Sequence, residues 1–166
     1  MDKIFRKDKG ATRPPKAVNN KQLINIKKIL NRGESNVNRL NKYGFYPLYI
    51  AVFNNEVSIV KRLLERGTSE INKKNKDGLT SLHLASINNY ANIVKMLLKY
   101  GANPDVKDSN GLTPMHWVII KDNVNMAKIL MEYDTSLKKN NTIIYLRKIM
   151  DSPESFKDKF MKFFVI

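Results

Sequence analysis

The sequence predicts an all-α protein built as a solenoid, in which similar helix–turn–helix units stack along one line. Three observations lead to this fold class. Gly44, Gly78 and Gly111 stand at the same place in three look-alike segments, 34 and 33 residues apart. Within each segment, apolar residues recur at the spacing of an amphipathic helix. Gly67 and Gly101 follow the last apolar turn of two segments, where glycine can adopt the left-handed conformation that ends a helix.

The three segments share a common core. One begins DGLTSLHLA at Asp77, the next NGLTPMHWV at Asn110, and the earliest and loosest YGFYPLYIA at Tyr43. A period near 33 residues with a T-P-L-H-x-A core resembles the ankyrin repeat. The resemblance covers about residues 22–140, and it implies an ankyrin-repeat solenoid with β-turn fingers and helical caps.

Each unit is predicted to contain a turn, a short first helix, a tight loop and a longer second helix. In the third unit, Asn110 and Gly111 form a turn pair because both residue types tolerate positive φ. Thr113 can cap the first helix, and Pro114 suits its first turn because the missing N–H has no helical partner there. The residues then predicted to face inward are Met115, Val118 and Ile119 on the first helix, and Met126, Ile129 and Leu130 on the second.

The rest of the chain is predicted to flank the stack. The N-terminal segment is basic and lacks helical periodicity, so we expect a flexible arm, either a solvated tail or an anion-binding or nuclear-import patch. Ser152-Pro153 predicts a helix start, and the phenylalanines after it form a stripe that can cover the last unit or dock a partner. The predicted segments are the arm 1–20, an N-terminal half-repeat cap 21–40, three repeats in 41–140 (41–74, 75–107 and 108–140) and a C-terminal helical cap 141–166.

The chain is strongly basic, with a formal net charge of +15. Such a charge is typical of proteins that meet nucleic acid, anionic membranes or acidic partners. It can also be compositional, because Lys, Ile and Asn (as in Asn54-Asn55 and Asn88-Asn89) are abundant throughout, as AT-rich coding DNA produces. The lysines are scattered along every segment, which favours the compositional interpretation. We therefore do not expect specific nucleic-acid binding, and a basic nucleic-acid-associated protein using the arm and surface lysines remains the alternative.

The composition excludes several kinds of chemical site and argues against a secreted or membrane-spanning protein. There is no cysteine, so disulfides, thiolate nucleophiles and Cys-based zinc sites are impossible. Their absence fits an intracellular protein, cytoplasmic or nuclear. The N-terminus lacks the apolar stretch of a secretory signal, and no window reaches the length of a membrane span. We expect a soluble monomer that does not enter a membrane.

No pattern predicts catalysis. The only histidines, His83 and His116, occupy the same place in successive units, which favours a structural role near the turn. Asp77, Asp105 and Asp108 lie in loops and have the character of turn residues. No phosphate-binding glycine loop or hydrolase motif is present. We therefore expect no enzyme activity, no cofactor and no bound metal.

The resemblance implies that a partner meets the fingers and the exposed first-helix positions on the concave side. Phe53, Ile87 and Ile120 are apolar where family members often carry polar residues, so stacking would align them into an apolar strip. A slipped alignment, or cover by a terminal segment, is the alternative. The partner-binding residues implied are Tyr43, Phe45, Lys76, Asp77, Leu79, Asn110 and Leu112 from the fingers, and Phe53, Ile87, Ile120 and Lys121 from the helices.

Trp117 is the only tryptophan, and its place in the repeat predicts packing in preference to an exposed interface anchor. The leading function is thus a non-enzymatic protein–protein interaction module, which could regulate or inhibit a signalling protein. A scaffold fragment of a larger assembly is a further alternative. As a short, Asn/Lys-rich ankyrin protein, the chain is similar to those of large DNA viruses and some intracellular bacteria, which would imply contact with a host protein. It also fits an ordinary eukaryotic scaffold.

Overall fold

The computed structural model describes residues 16–33, 45–67 and 70–133. These ranges contain α-helices and no β-strand, as predicted. The predicted C-terminal cap, most of the predicted arm and most of the first finger lie outside them. The helices are α1 (Lys16–Asn31), α2 (Pro47–Phe53), α3 (Val57–Glu65), α4 (Ser81–Ile87), α5 (Ala91–Lys99), α6 (Pro114–Ile120) and α7 (Val124–Tyr133).

The helices form two layers. The short first helices α2, α4 and α6 contact one another in chain order, and so do the longer second helices α3, α5 and α7. Each first helix also packs on the second helix of its own unit, and α1 packs against α2 and α3. The main contacts among the described helices therefore join neighbours along one line, as in a repeat solenoid. The predicted all-α solenoid is confirmed.

The core runs between the layers and repeats with the units. In the third unit, Val118, Ile119, Met126 and Leu130 are buried as predicted. The other two predicted inward residues, Met115 and Ile129, are half-buried and pack against the same core. Fully burying one such side chain contributes about 1.5–3 kcal/mol. The buried side chains between the layers therefore supply most of the free energy that holds neighbouring units together.

The tight loop between the two helices of a unit explains the asparagine pairs. Asn55 and Asn89 have φ of 54° and 60°, a left-handed conformation that asparagine tolerates better than most residues. The asparagine before each one bonds back to its helix: Asn54 Nδ2 donates to the carbonyl of Ile50, and Asn88 Nδ2 to that of Leu84, each at 2.8 Å. The pairs therefore have a structural role that the compositional interpretation missed.

Neighbouring fingers pack directly against each other. The backbone N–H of Ser109 donates to the carbonyl of Asp77 at 3.1 Å. Gly78 lies at this contact with a φ of 77°. A Cβ atom on Gly78 would lie 2.5 Å from the nitrogen of Ser109. The approach is thus too close for any side chain at this position.

Helix α1 is held at its C-terminal end by Arg62 of α3 and by Arg66, which directly follows that helix. The guanidinium of Arg62 donates to the carbonyl of Leu30 at 3.0 Å and to Asn31 Oδ1 at 3.1 Å, and Arg66 donates to the same carbonyl at 2.9 Å. These bonds satisfy a carbonyl that has no partner within the helix. The helix begins at Lys16, before the predicted cap boundary at residue 21, so the end of the predicted flexible arm is helical.

Candidate partner-binding surface

The predicted apolar strip forms a row across the first helices. Phe53, Ile87 and Ile120 are the last residues of α2, α4 and α6, and these three helices lie side by side. All three side chains are half-buried, so each keeps some contact with solvent. Phe53 also packs against the core, so it is less available to a partner than the exposed first-helix position that the resemblance implies. We call these three residues the apolar row.

Polar residues follow the apolar row in each unit. Asn54 and Asn88 cap α2 and α4, and their amides are committed to helix carbonyls in the bonds described above. Lys121 follows Ile120 and is exposed, so its ammonium group is available to a partner. The residue that directly follows the row is thus charged only in the third unit.

The fingertip residues divide into exposed and half-buried members. Lys76 and Asn110 are exposed, as a contact role requires. Asp77 is half-buried, and its Oδ2 accepts from Asn75 Nδ2 at 3.4 Å. Phe45 is half-buried against the core and stacks on Tyr49, with ring centroids 5.5 Å apart. Tyr43 lies outside the described residues.

The prediction that Leu79 lies on the partner-binding surface is wrong. Its side chain is only 4% exposed, because the chain turns inward here to enter α4 and the buried N-cap Thr80 follows directly. The Leu79 N–H donates to Asn75 Oδ1 at 2.9 Å, which fixes the turn. The equivalent Leu112, in the last finger that the structure describes, is half-buried and remains a candidate.

The histidines join turns to helices. His83 is fully buried, and its Nδ1 accepts from the N–H of Thr80 at 3.2 Å. The proton must therefore reside on Nε2, which donates to the carbonyl of Leu112 in the next finger at 3.1 Å. Burial lowers the pKa of His83, and the bond to Leu112 offsets part of this effect. The ring is a neutral structural link between repeats.

His116 repeats the same cap in the third unit. Its Nδ1 lies 3.3 Å from the backbone nitrogen and 2.7 Å from the hydroxyl oxygen of Thr113. Burial lowers the pKa of His116, and the nearby ammonium group of Lys107 lowers it further. A neutral ring bonded to its own turn favours the predicted structural role.

Tyr49 takes the place of histidine in the first unit. Its hydroxyl oxygen accepts from Asn75 Nδ2 at 3.2 Å, so it also reaches the finger of the following repeat. Burial raises the pKa of Tyr49, and the carboxylate of Asp77 raises it further, so the phenol is neutral. Tyr46 caps α2 without a side-chain bond. The unit thus loses the threonine–histidine cap but keeps its polar link to the next unit.

Trp117 is a packing residue, as predicted. It is 7% exposed, and its Nε1 donates to Asp108 Oδ2 at 2.8 Å. The other carboxylate oxygen, Oδ1, accepts from the N–H groups of Asn110 and Leu112 at 2.8 and 2.9 Å. Asp108 thus holds both the finger turn and the indole. Sequence reasoning identified the turn role and missed the bond to Trp117.

A narrow crevice lies between Tyr46, Tyr49 and Ser81, and it leaves no room for a small molecule. Among the described residues, no three His, Asp or Glu side chains come together to hold a metal ion. None of the described helices has the length and apolar character needed to cross a membrane.

Comparison with known families agrees with this geometry. The model of the family described as ankyrin repeats (3 copies) matches residues 16–108, more than half of the chain, and that described as ankyrin repeats (many copies) matches residues 92–131. The chain therefore belongs to the ankyrin repeat family. No curated protein sequence matches it. Ankyrin repeats are generally protein–protein interaction modules and are typically non-enzymatic.

Proposed function

We propose that this protein is a non-enzymatic module that binds a partner protein along the first-helix side of its ankyrin stack, with the apolar row as the anchor. The observation that carries the proposal is that Phe53, Ile87 and Ile120 end three consecutive, contacting helices and are all half-buried. Half-buried apolar side chains at one repeated position form a continuous patch, and such patches mark contact surfaces.

The fingers and Lys121, the residue after α6, supply the polar edge of this surface. Lys76, Asn110 and Lys121 are exposed and can bond to polar groups of the partner around the apolar row. A few central apolar anchors carry most of the energy in protein interfaces, while the polar rim contributes orientation. The candidate contact set is the apolar row together with Tyr43, Phe45, Lys76, Asp77, Asn110, Leu112 and Lys121.

A module of this kind acts by occupying a surface of its partner. We therefore propose a regulator or inhibitor of an intracellular signalling protein, in which the bound partner is kept from its other contacts. Repeat solenoids provide extended surfaces for this purpose. The partner segment that best complements the apolar row presents two or three apolar side chains along one side.

The test compares capture of partners from cell extract by the wild type and by Ile87→Ser/Ile120→Ser. Both isoleucines are half-buried, so the variant should stay folded and lose the partner. The matched control is Ile24→Ser/Val57→Ser, which removes two apolar side chains that are 53% and 39% exposed on α1 and α3. The control should keep the partner. Equal capture by wild type and Ile87→Ser/Ile120→Ser would show that the partner binds elsewhere.

A further inference from the structure

A lysine stands at the same place on the outer side of four helices. The four residues are 34, 34 and 33 positions apart, and all are exposed. They belong to α1, α3, α5 and α7, the layer away from the apolar row. We call them the lysine row: Lys27, Lys61, Lys95 and Lys128.

The packing of these helices aligns the row. Helix α3 contacts α1 and α5, and α5 contacts α7. Each lysine directly follows a buried residue of the core, so all four occupy the same position on their helices. Axes of packed helices lie about 8–10 Å apart, so the row extends over about 25–30 Å. The buried residues that precede the lysines are Ile26, Val60, Val94 and Ala127.

Few carboxylates among the described residues neutralise the lysine row. Lys27 lies 3.5 Å from Glu56, and Lys61 lies 3.7 Å from Glu65. Both pairs are exposed, and exposed pairs contribute little to stability, so a competing anion can replace them. No ion pair with a described carboxylate involves Lys95 or Lys128. The outer side of the stack therefore presents ammonium groups at regular intervals.

The side chains beside the row are hydrogen-bonding groups. One turn before the lysines of α3, α5 and α7 stand Ser58, Asn92 and Asn125, all exposed. Lysine, serine and asparagine are residue types that contact phosphate oxygens in nucleic-acid complexes. A protein interface would instead need exposed apolar or aromatic anchors, and the two apolar residues between each polar residue and its lysine are buried in the core.

We propose that the lysine row binds the phosphate backbone of nucleic acid without reading its base sequence. A line of ammonium groups matches a polymer that carries a negative charge at every phosphate. Each phosphate neutralised releases counterions, so the logarithm of the affinity falls with the logarithm of salt concentration with a slope near −0.9 per contact. This surface is separate from the apolar row, so either proposal can fail without the other.

The test measures binding of the full chain to a fluorescent DNA duplex of arbitrary sequence over a range of salt concentrations. The variant is Lys61→Gln/Lys95→Gln/Lys128→Gln. The matched control is Lys73→Gln/Lys74→Gln/Lys107→Gln, which removes the same charge from exposed finger positions. The row variant should lose about tenfold or more in affinity at low salt, with a slope shallower by about 3. The control should lose much less.

Three outcomes would overturn the proposal. Equal losses in the two variants would mean that overall charge alone attracts DNA. Retention of wild-type affinity by the row variant would show that the row does not contact the duplex. Equally tight, row-dependent binding of poly-glutamate would assign the surface to acidic proteins. Melting temperatures of both variants should match the wild type, which confirms that any loss arises at the surface.

Discussion

His83 Nε2 donates to the backbone carbonyl of Leu112 at 3.1 Å, and this bond ties one ankyrin unit to the finger of the next. Tyr49 makes the corresponding link one unit earlier, through Asn75 at 3.2 Å. The histidine that the sequence repeats is thus an inter-repeat connector, and a different residue type can take its place when the following finger offers a different partner.

The stability of the fold should depend on pH through His83. Its folded pKa is lowered by burial, below the value of about 6.5 for an unperturbed histidine. The unfolded chain then binds more protons, so this stabilisation is complete above pH 6.5 and is lost as the pH falls towards the folded pKa. Urea unfolding at pH 7.5 and pH 5 should show a lower free energy of unfolding at the acidic pH.

The variant His83→Gln tests the origin of that dependence. It should be less stable than the wild type at pH 7.5 by about 1–3 kcal/mol, because glutamine has no acceptor at the place of Nδ1 and the N–H of the buried Thr80 loses its partner. Its loss between pH 7.5 and pH 5 should be smaller, with His116 accounting for a remaining part. An identical pH profile in the two proteins would contradict a role for His83.

Asp108→Asn should destabilise the protein by about 1–3 kcal/mol. The amide can still accept the turn bonds through Oδ1, but its NH₂ group would face the indole N–H of Trp117, which now bonds to Asp108 Oδ2. Asp105→Asn is the matched control, since Asp105 is exposed, and it should change stability by less than about 0.5 kcal/mol. Similar urea midpoints for both variants would contradict a contribution of the Trp117–Asp108 hydrogen bond to stability.

Gly78→Ala should destabilise the stack more than Gly67→Ala. Both glycines have positive φ, at 77° and 72°, so alanine costs about 1–2 kcal/mol at either position. Only at Gly78 would the new Cβ also meet the next finger, 2.5 Å from the nitrogen of Ser109. Thermal and urea unfolding of the two variants should separate the cost of alanine at positive φ from the cost of the close contact with Ser109. Equal losses would mean that the fingers move apart freely.

The apolar row and the core should respond differently to truncation. Leu97 is fully buried, so Leu97→Ala should cost about 2–5 kcal/mol through cavity formation. Ile87→Ser/Ile120→Ser should cost far less and still abolish partner capture. Phe53→Ser should be intermediate in stability because Phe53 packs against the core. Should the isoleucine double variant unfold as readily as Leu97→Ala, the row would belong to the core.

The sequence by itself determined the repeat, the helices and most of the core. Its Thr-Pro helix start and its apolar spacing are local, so they predicted inward residues such as Val118 and Leu130 correctly. The place of Trp117 in the repeat also predicted its burial. These properties follow from backbone geometry and helical periodicity, which need only a few neighbouring residues.

Only the tertiary structure decided which residues neighbouring units bury and which charges they align. Leu79 and Leu112 are equivalent in sequence, yet Leu79 is buried and Leu112 is half-buried, because each unit's environment depends on its neighbour. Lys61, Lys95 and Lys128 are isolated on their own helices and become one row only when the helices stack. Periodicity along the chain describes a single helix, whereas burial and charge alignment arise between residues more than thirty positions apart.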